Sequence, residues 1–551
     1  VQNAIFAEII DPILKSYVTT PPATEFNPDL QLSTQMLKDS GLSNLTIDTY
    51  GDIDINKGQE INLAAGASLD LTGGRINLDG NIKIIGGDVS LQAEYATGKT
   101  ADVTSVILGG NAQIDVRGNW VNDTPELNPE GAINSAIHIH GGDISLSASS
   151  GSTNEAFINL QQGSVINASG GAWLQADGKL KAGNGGNIAI AVDNPDADSQ
   201  IKIGGELISA GITQGGNLKI NADTIRISDS DTNTENELVL TPDFFNKGGF
   251  GSYSLTAHRH GLAVDSGTVI DLIAQNLQLN NGYALQQSGN SLEGMTALIT
   301  KPEWERGAVD LTLSVRKGDN TGAGDSLKWL SIGDGAQINT GTGGNISLNS
   351  THNIYLGGAL QAHGGDISLQ IGDTRSDNKD VGYIASQGIW LGENAQIDVS
   401  AAVVMQPNDF GLRQGQTYSA GNVLIDAQQG YVIAQQGSNI DVSGTSAVFD
   451  INGVKADGTI GLTAHEVAAD AGSITIKAAE GMLLNGTMQA DAADVNGARG
   501  GSLTIVNNAA IKKEKIEESR DGNYENEYLE NPGVIHLHDT DYIAVYATGS
   551  A

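Results

Sequence analysis

Gly141-Gly142-Asp143-Ile144-Ser145-Leu146 is the stretch that decides how this chain folds. Two glycines permit a tight turn, one short polar residue follows, and three residues then alternate apolar, polar, apolar. That alternation is a strand with one buried face. The same phrase returns as Gly86-Gly87-Asp88-Val89-Ser90-Leu91 and Gly185-Gly186-Asn187-Ile188-Ala189-Ile190. Further copies occupy 215–220, 343–348, 364–369, 420–425, 471–476 and 500–505, those at Ala420 and Ala471 opening on alanine. A turn-plus-strand unit that recurs from end to end buries its apolar face only by stacking on its neighbours. The expected architecture is therefore an all-β solenoid.

A second phrase interleaves with the first. Ala112-Gln113-Ile114-Asp115-Val116 is repeated almost letter for letter as Ala395-Gln396-Ile397-Asp398-Val399, with looser copies at 68–71, 164–168, 336–339 and 438–442. In a strand the Ile and Val of Ile-Asp-Val share one face and the Asp takes the other, so the apolar face fills the coil and the Asp meets water. With about 20–25 residues per coil and a strand spacing near 4.8 Å, 551 residues predict a rod on the order of 100–130 Å long.

Composition fits thin coils. There are 72 glycines but only 5% aromatic residues, so the core is built from Val, Ile, Leu and Ala rather than from large rings. A formal net charge of −36 argues against nucleic acid and anionic membrane surfaces as partners, since both repel it. The same charge keeps a long, edge-rich rod in solution. No stretch reaches the roughly 18–20 consecutive apolar residues of a membrane helix, so membrane insertion is not expected. The absence of cysteine suits a chain that crosses an oxidising compartment unfolded. Ile5, Ile9 and Ile13 lie on one side of a short helix suited to cover the end of the rod.

The chain divides into five parts. Residues 1–45 are an irregular lead-in or cap with a short helix, and 46–228 are legible coils. Residues 229–330 are disrupted coils with inserted loops or a small subdomain. Clear coils resume over 331–508, and 509–551 combine a charged excursion with terminal strands.

The Gly-Gly-Asp-Ile-Ser-Leu and Ile-Asp-Val-Ser-Gly units resemble those of the filamentous haemagglutinin family, the large adhesins of bacterial two-partner secretion. Two other stretches share the likeness: Pro21-Pro22-Ala23-Thr24-Glu25-Phe26-Asn27-Pro28, and Phe244-Phe245 through Gly248-Gly249-Phe250-Gly251-Ser252-Tyr253-Ser254-Leu255 with Gly261-Leu262-Ala263-Val264. The resemblance implies a right-handed parallel β-helix and export through an outer-membrane two-partner secretion pore. It also implies an extracellular or outer-membrane-associated place on a Gram-negative cell surface, and a role in adhesion, aggregation or biofilm. The family's secretion domain with its Asn-Pro-Asn-type motifs is not seen, so the chain is expected to be an internal or C-terminal region, or a processed product.

Candidate sites are few. His138/His140, His258/His260 and His536/His538 are His-x-His pairs, which on a strand would point two imidazoles the same way. No further ligand completes a set, so no metal site is expected. The acidic turns lack the Gly-Gly-x-Gly-x-Asp pattern of a calcium-binding β-roll, which leaves diffuse calcium bridging through the acidic surface and no cofactor. Asp196/Asp198 and Asp229/Asp231 are the paired carboxylates that a β-helical polysaccharide lyase or hydrolase would need, but both sit in Asp/Asn/Ser-rich turns where Asp bonds its own backbone. Of the tryptophans 120, 173, 304, 329 and 390, exposed ones are suited to stack on sugars, and the others to cap loops. Asn44, Asn122, Asn167, Asn345 and Asn485 stand in Asn-x-Ser/Thr triplets.

The reading at this level is a non-enzymatic stalk that attaches to host or bacterial surface glycans or proteins. Its contacts are expected in the loops 229–265, 296–330 and 509–533. The alternatives are a subunit that self-associates end to end into a filament, and a polysaccharide-cleaving β-helix.

Overall fold

The structure is a computed structural model. It describes residues 32–94, 103–131, 137–150, 155–193, 199–230, 237–289, 292, 294–316, 329–372, 386–454, 458–513 and 527–532, the last 12 of these (508–513 and 527–532) by their backbone alone. It is a parallel β-helix whose coils each turn through three short strands. In the second coil these are Ser68–Gly73, Arg75–Leu78 and Asn81–Lys83, on what we term the first, second and third faces. Strands of successive coils pair in parallel: Leu45 lies beside Leu69, Leu69 beside Val89, Val89 beside Ile144 and Ile144 beside Ile188. The first face is unbroken over 13 strands, from Asn44–Asp48 to Ser502–Lys513.

Period-two alternation sets what faces inward. In Ile144–Ser149 the residues Ile144, Leu146 and Ala148 are buried while Ser145 is exposed. One core of Ile, Leu, Val and Ala runs the length of the coils. The helix Thr34–Asp39, N-capped by Ser33, lays Leu37 against the first coil. The helix expected at 5–18 lies outside the described residues.

The predicted coil length holds only where a coil is bare. Leu45 to Leu69 and Ile346 to Ile367 take 24 and 21 residues, but Val89 to Ile144 takes 55 and Tyr253 to Leu311 takes 58. Residues inserted at the corners add no rung. Thirteen strands at the usual spacing give a rod of about 58 Å, close to half of the predicted length.

The diagnostic phrase forms two stacks that run up one corner. A Cβ on Gly142 would lie 1.8 Å from the carbonyl oxygen of Gly87, and one on Gly186 2.0 Å from that of Gly142. The same approach recurs from Gly344 through Gly365, Gly421 and Gly472 to Gly501. The second glycine is needed because backbone rests on backbone, which no side chain allows. Beside it runs an Asx ladder. The Asp143 carboxylate accepts the Asn187 backbone N–H at 2.8 Å, and Asn345 Oδ1 accepts that of Asp366 at 2.8 Å. Asp366 Oδ1 in turn accepts the N–H of Asn422 at 2.7 Å, and Asn422 Oδ1 accepts Ser473 Oγ–H at 2.6 Å. These acids bond the next coil.

The disruption expected at 229–330 spares the first face but interrupts the other two: the second-face sheet that begins at Asp52–Ile55 ends at Gln200–Ile203, and Leu238–Leu240 pairs as an added strand with Ile225–Ile227. The first face crosses it through the long strands Asn217–Ile227 and Ser252–Val264. The third face breaks into two sheets, Glu60–Asn62 to Glu206–Ile208 and Val269–Leu272 to Thr487–Gln489. Between them the 3₁₀ turn Pro242–Asn246 replaces a strand. Phe244, Phe245 and Phe250 gather around Tyr253 with ring centroids 5.2–6.2 Å apart, an aromatic plug where the aliphatic ladder stops. Burial pushes the Tyr253 phenol far above its ordinary range.

Excursions that leave after the third face pack beside the rod. Trp120–Asn122, Ala172–Leu174 and Leu180–Ala182 form a small mixed sheet. Trp120, Leu174, Leu277, Leu292 and Met295 close a second core there. The extra-helical subdomain expected within 229–330 thus also recruits segments from the region read as plain coils. Farther along, hairpins 402–418 and 445–469 stack on one another through Val404 and Phe449.

Candidate functional site

The three loop regions expected to carry contacts fare differently. Residues 237–265 are largely built into the coil through the aromatic plug and Ser252–Val264. Thr296–Ile299 pairs with Asn276–Leu279 over the lateral core, and Glu527–Pro532 pairs with 508–513. The rest of 296–330 and 509–533 is described only at 300–316 and 329–330.

The histidine pairs do not converge. Residues 137–140 are not a strand, so the expected alternation fails there. The His138 ring lies over Gly66, and His140 Nδ1 accepts the Asn184 N–H at 3.1 Å. His258 and His260 sit in a bulge where register jumps from Ala222↔Ala257 to Thr224↔Gly261. His258 Nε2 lies 2.8 Å from the fully buried Asp223 carboxylate, which also accepts the Ser199 N–H at 2.5 Å. His536/His538, Asp196, Asp198 and Asp231 lie outside the described residues. Among the described residues no three His, Cys, Asp or Glu side chains gather as a metal site.

The triplet asparagines are engaged in the fold. Asn122 is buried and donates to the carbonyls of Ala284 and Gln286, Asn167 Oδ1 accepts the Ser169 N–H, and Asn345 belongs to the Asx ladder. Trp120 donates to the Gln286 carbonyl from full burial, and Trp173 donates to Asp123 at 2.8 Å. These two tryptophans close loops.

Trp329 and Trp390 do something else. Each is about two-fifths exposed, and they stand on the second face three coils from the rod's far end and beyond. Its strands there are Trp329–Ile332, Asn353–Leu356, Gly388–Leu391 and Tyr431–Ala434. Leu330, Ile332, Ile354, Leu356, Ile389, Leu391 and Val432 point inward and are buried. Alternation then turns Trp329, Tyr355, Trp390 and Tyr431 outward, one ring on each of four consecutive coils. Tyr355 lies directly beside Trp390, while Trp329 and Tyr431 occupy the first position of their strands. Three strand spacings separate the first ring from the last, about 14 Å.

Glycines let the two tyrosine rings lie over the sheet. A Cβ on Gly357 would come 3.0 Å from the Tyr355 ring, and one on Gly481 would touch the Tyr431 ring at 3.5 Å. Tyr355 Oη–H donates to Asp334 at 2.9 Å, which fixes the ring at the corner. That bond, with partial burial and the charges of Asp334 and Glu393, holds the phenol above its ordinary pKa. The preceding half of the same face carries mostly polar outward residues, among them Asp52, Asp54, Arg75, Asn77, Asn159 and Lys202, and its outward ring Phe157 is covered by Lys202 Nζ at 5.5 Å from the ring centroid. Sequence reading missed the two tyrosines. The signal was present in the paired phrases Asn353-Ile354-Tyr355-Leu356-Gly357 and Gly388-Ile389-Trp390-Leu391-Gly392.

A separate cleft of about 410 Å³ opens where the third face breaks, lined by Leu207, Ile208, Phe244, Phe250 and Leu298 with Glu206 and Lys247. Glu206 and Lys247 are the titratable side chains that line it. No family model, curated protein or solved structure matches the chain.

Proposed function

We propose that the chain is a non-enzymatic stalk of an extracellular or cell-surface adhesin, which holds binding surfaces at fixed spacing for attachment, aggregation or biofilm formation. The observation that carries this reading is the unbroken first face of 13 strands, locked by stacked glycines and an Asx ladder. Strain along such a rod is shared by many short backbone bonds, and its lateral excursions leave that ladder intact. Export through an outer-membrane two-partner secretion pore belongs to the same proposal. It accords with the phrase-by-phrase repeat and the lack of cysteine.

The test is attachment of beads coated with the purified protein to bacterial and epithelial cells, with new reducing ends measured on added polysaccharides. Attachment without cleavage is the expected result. Cleavage, or coated beads that attach no better than albumin-coated ones, would overturn the proposal. End-to-end assembly is favoured by one observation: Leu503 occupies an inward position beside buried Ile474 yet is half exposed on the last first-face strand among the described residues. Fibres that lengthen with protein concentration in electron micrographs would establish it.

A further inference from the structure

We infer that the outward rings of Trp329, Tyr355, Trp390 and Tyr431 form a binding platform for an extended, uncharged polysaccharide. The inference rests on the reading of the rod as an attachment scaffold and names the class of partner and the place where it docks.

Three observations converge on the second face. First, four consecutive coils each present one aromatic ring, on a sheet whose other outward positions there include Ser331, Gly388 and Ile433. A parallel face of this kind is nearly flat and steps the rings along the rod by the strand repeat, about 4.8 Å, in two columns: Tyr355 and Trp390 side by side in one, Trp329 and Tyr431 two residues away along the strand in the other. A repeating linear polymer matches a repeating platform, whereas a folded protein partner matches a shaped patch. Second, glycines stand under or beside the tyrosine rings, and Asp334 holds one of them by its hydroxyl. Rings held flat offer their faces, and the C–H face of a pyranose is the apolar surface that packs on an aromatic plane. Third, the groups at the corner beside the platform are acceptors. Asp334 and Glu393 both act on Tyr355, and these carboxylates suit sugar hydroxyl pairs. With a net charge of −36 on the chain, they repel sulfated or uronate polymers. The chemistry therefore selects neutral chains and disfavours anionic ones.

The experiment titrates the full chain with cellohexaose, chitohexaose (N-acetylated) and a heparin hexasaccharide, followed by tryptophan fluorescence and calorimetry. Binding of at least one neutral hexasaccharide and none of the heparin fragment is expected. Trp390→Ala and Trp329→Ala should each weaken binding about tenfold, the equivalent of ~1.4 kcal/mol. Trp390→Phe should restore most of it, and Trp304→Ala, an equally exposed tryptophan away from the second face, should change nothing. The three substituted tryptophans are each about two-fifths exposed, and unchanged far-UV circular dichroism shows that the coils persist.

Neutral-glycan binding that survives Trp329→Ala/Trp390→Ala overturns the platform while the scaffold reading stands. Tighter binding of heparin than of neutral chains overturns the ligand class. If no hexasaccharide binds while coated beads still attach to cells, the glycan platform is wrong and the adhesin reading survives. If bead attachment fails as well, the scaffold reading falls with it.

Discussion

Gly421→Ala tests the central claim about why the repeat is written as it is. Gly421 stacks between Gly365 and Gly472, and a methyl group there would sit 1.8 Å from the Gly365 carbonyl oxygen and 2.5 Å from its carbon. Both neighbours are backbone atoms of the turn in the adjacent coil, so no side-chain rotation relieves the overlap. The coil must separate locally, breaking the bond from Gly421 N–H to the Val399 carbonyl. Overpacking of this kind costs about 2–3 kcal/mol. A solenoid does not unfold in one step, so the readout is amide hydrogen exchange by mass spectrometry rather than a single midpoint. Peptides spanning Asn422–Ala427 and Ile367–Ile371 should exchange about 30- to 150-fold faster, while 44–94 stay unchanged. Gly341→Ala is the matched control: nothing lies within 4 Å of its Cβ position, and its φ is outside the left-handed region. It should be neutral, or more stable by about 0.4–1 kcal/mol through the unfolded chain. Equal exchange in the two variants would refute the stacking argument.

Other perturbations probe the remaining contacts. His258→Leu leaves the buried Asp223 carboxylate with the Ser199 N–H but without the imidazole, at a cost of about 3–5 kcal/mol. Combining it with Asp223→Leu should return much of that loss in the local exchange rates of 252–264. Burial pushes the Asp115 carboxyl up, but the hydrogen bonds and charge of Arg117 outweigh it and hold the group below its usual range. A depressed carboxyl contributes stability that is full above its unfolded pKa and is lost as pH falls through the lower folded value. Arg117→Met should therefore remove stability at neutral pH and flatten the acid side of a melting-temperature profile. Trp120→Ala should cost about 3–5 kcal/mol in the lateral core, read as faster exchange in 276–299, with the first face at 144–149 unaffected.

The coil architecture was legible because its causes are local. A Gly-Gly turn, an Asx residue and a period-two strand appear in each copy of the phrase, and repetition of a unit that cannot bury its own face leaves stacking as the solution. Ile114 and Ile397 are inward and Asp115 and Asp398 half-buried at the outer surface, as alternation required. The length of the rod was not legible, because a count of residues does not distinguish those that add a rung from those that leave at a corner. At 138/140 the same-side placement that a strand would give does not arise: alternation applies only to residues in a strand, and these are not in one. The second glycine of the phrase reads equally as turn former or as spacer. Its contact with the Gly87, Gly365 or Gly421 backbone is a distance between coils.

The aromatic platform divides in the same way. That Trp390 would point out between Ile389 and Leu391 follows from alternation, and each of the other three rings can be assigned likewise from its own strand. That the four belong to adjacent coils is set by register, which pairs Tyr355 with Trp390 across 35 residues and Trp390 with Ile433 across 43. The intervening segments differ in length and leave no mark of that pairing in the chain. Local periodicity thus specifies strand, face and core, since each depends on a few neighbouring residues. The lateral core around Trp120, the pairing of buried Asp223 with His258 and the cluster of rings on the second face join residues 35 to more than 160 positions apart, and the order in which coils stack is what brings them together.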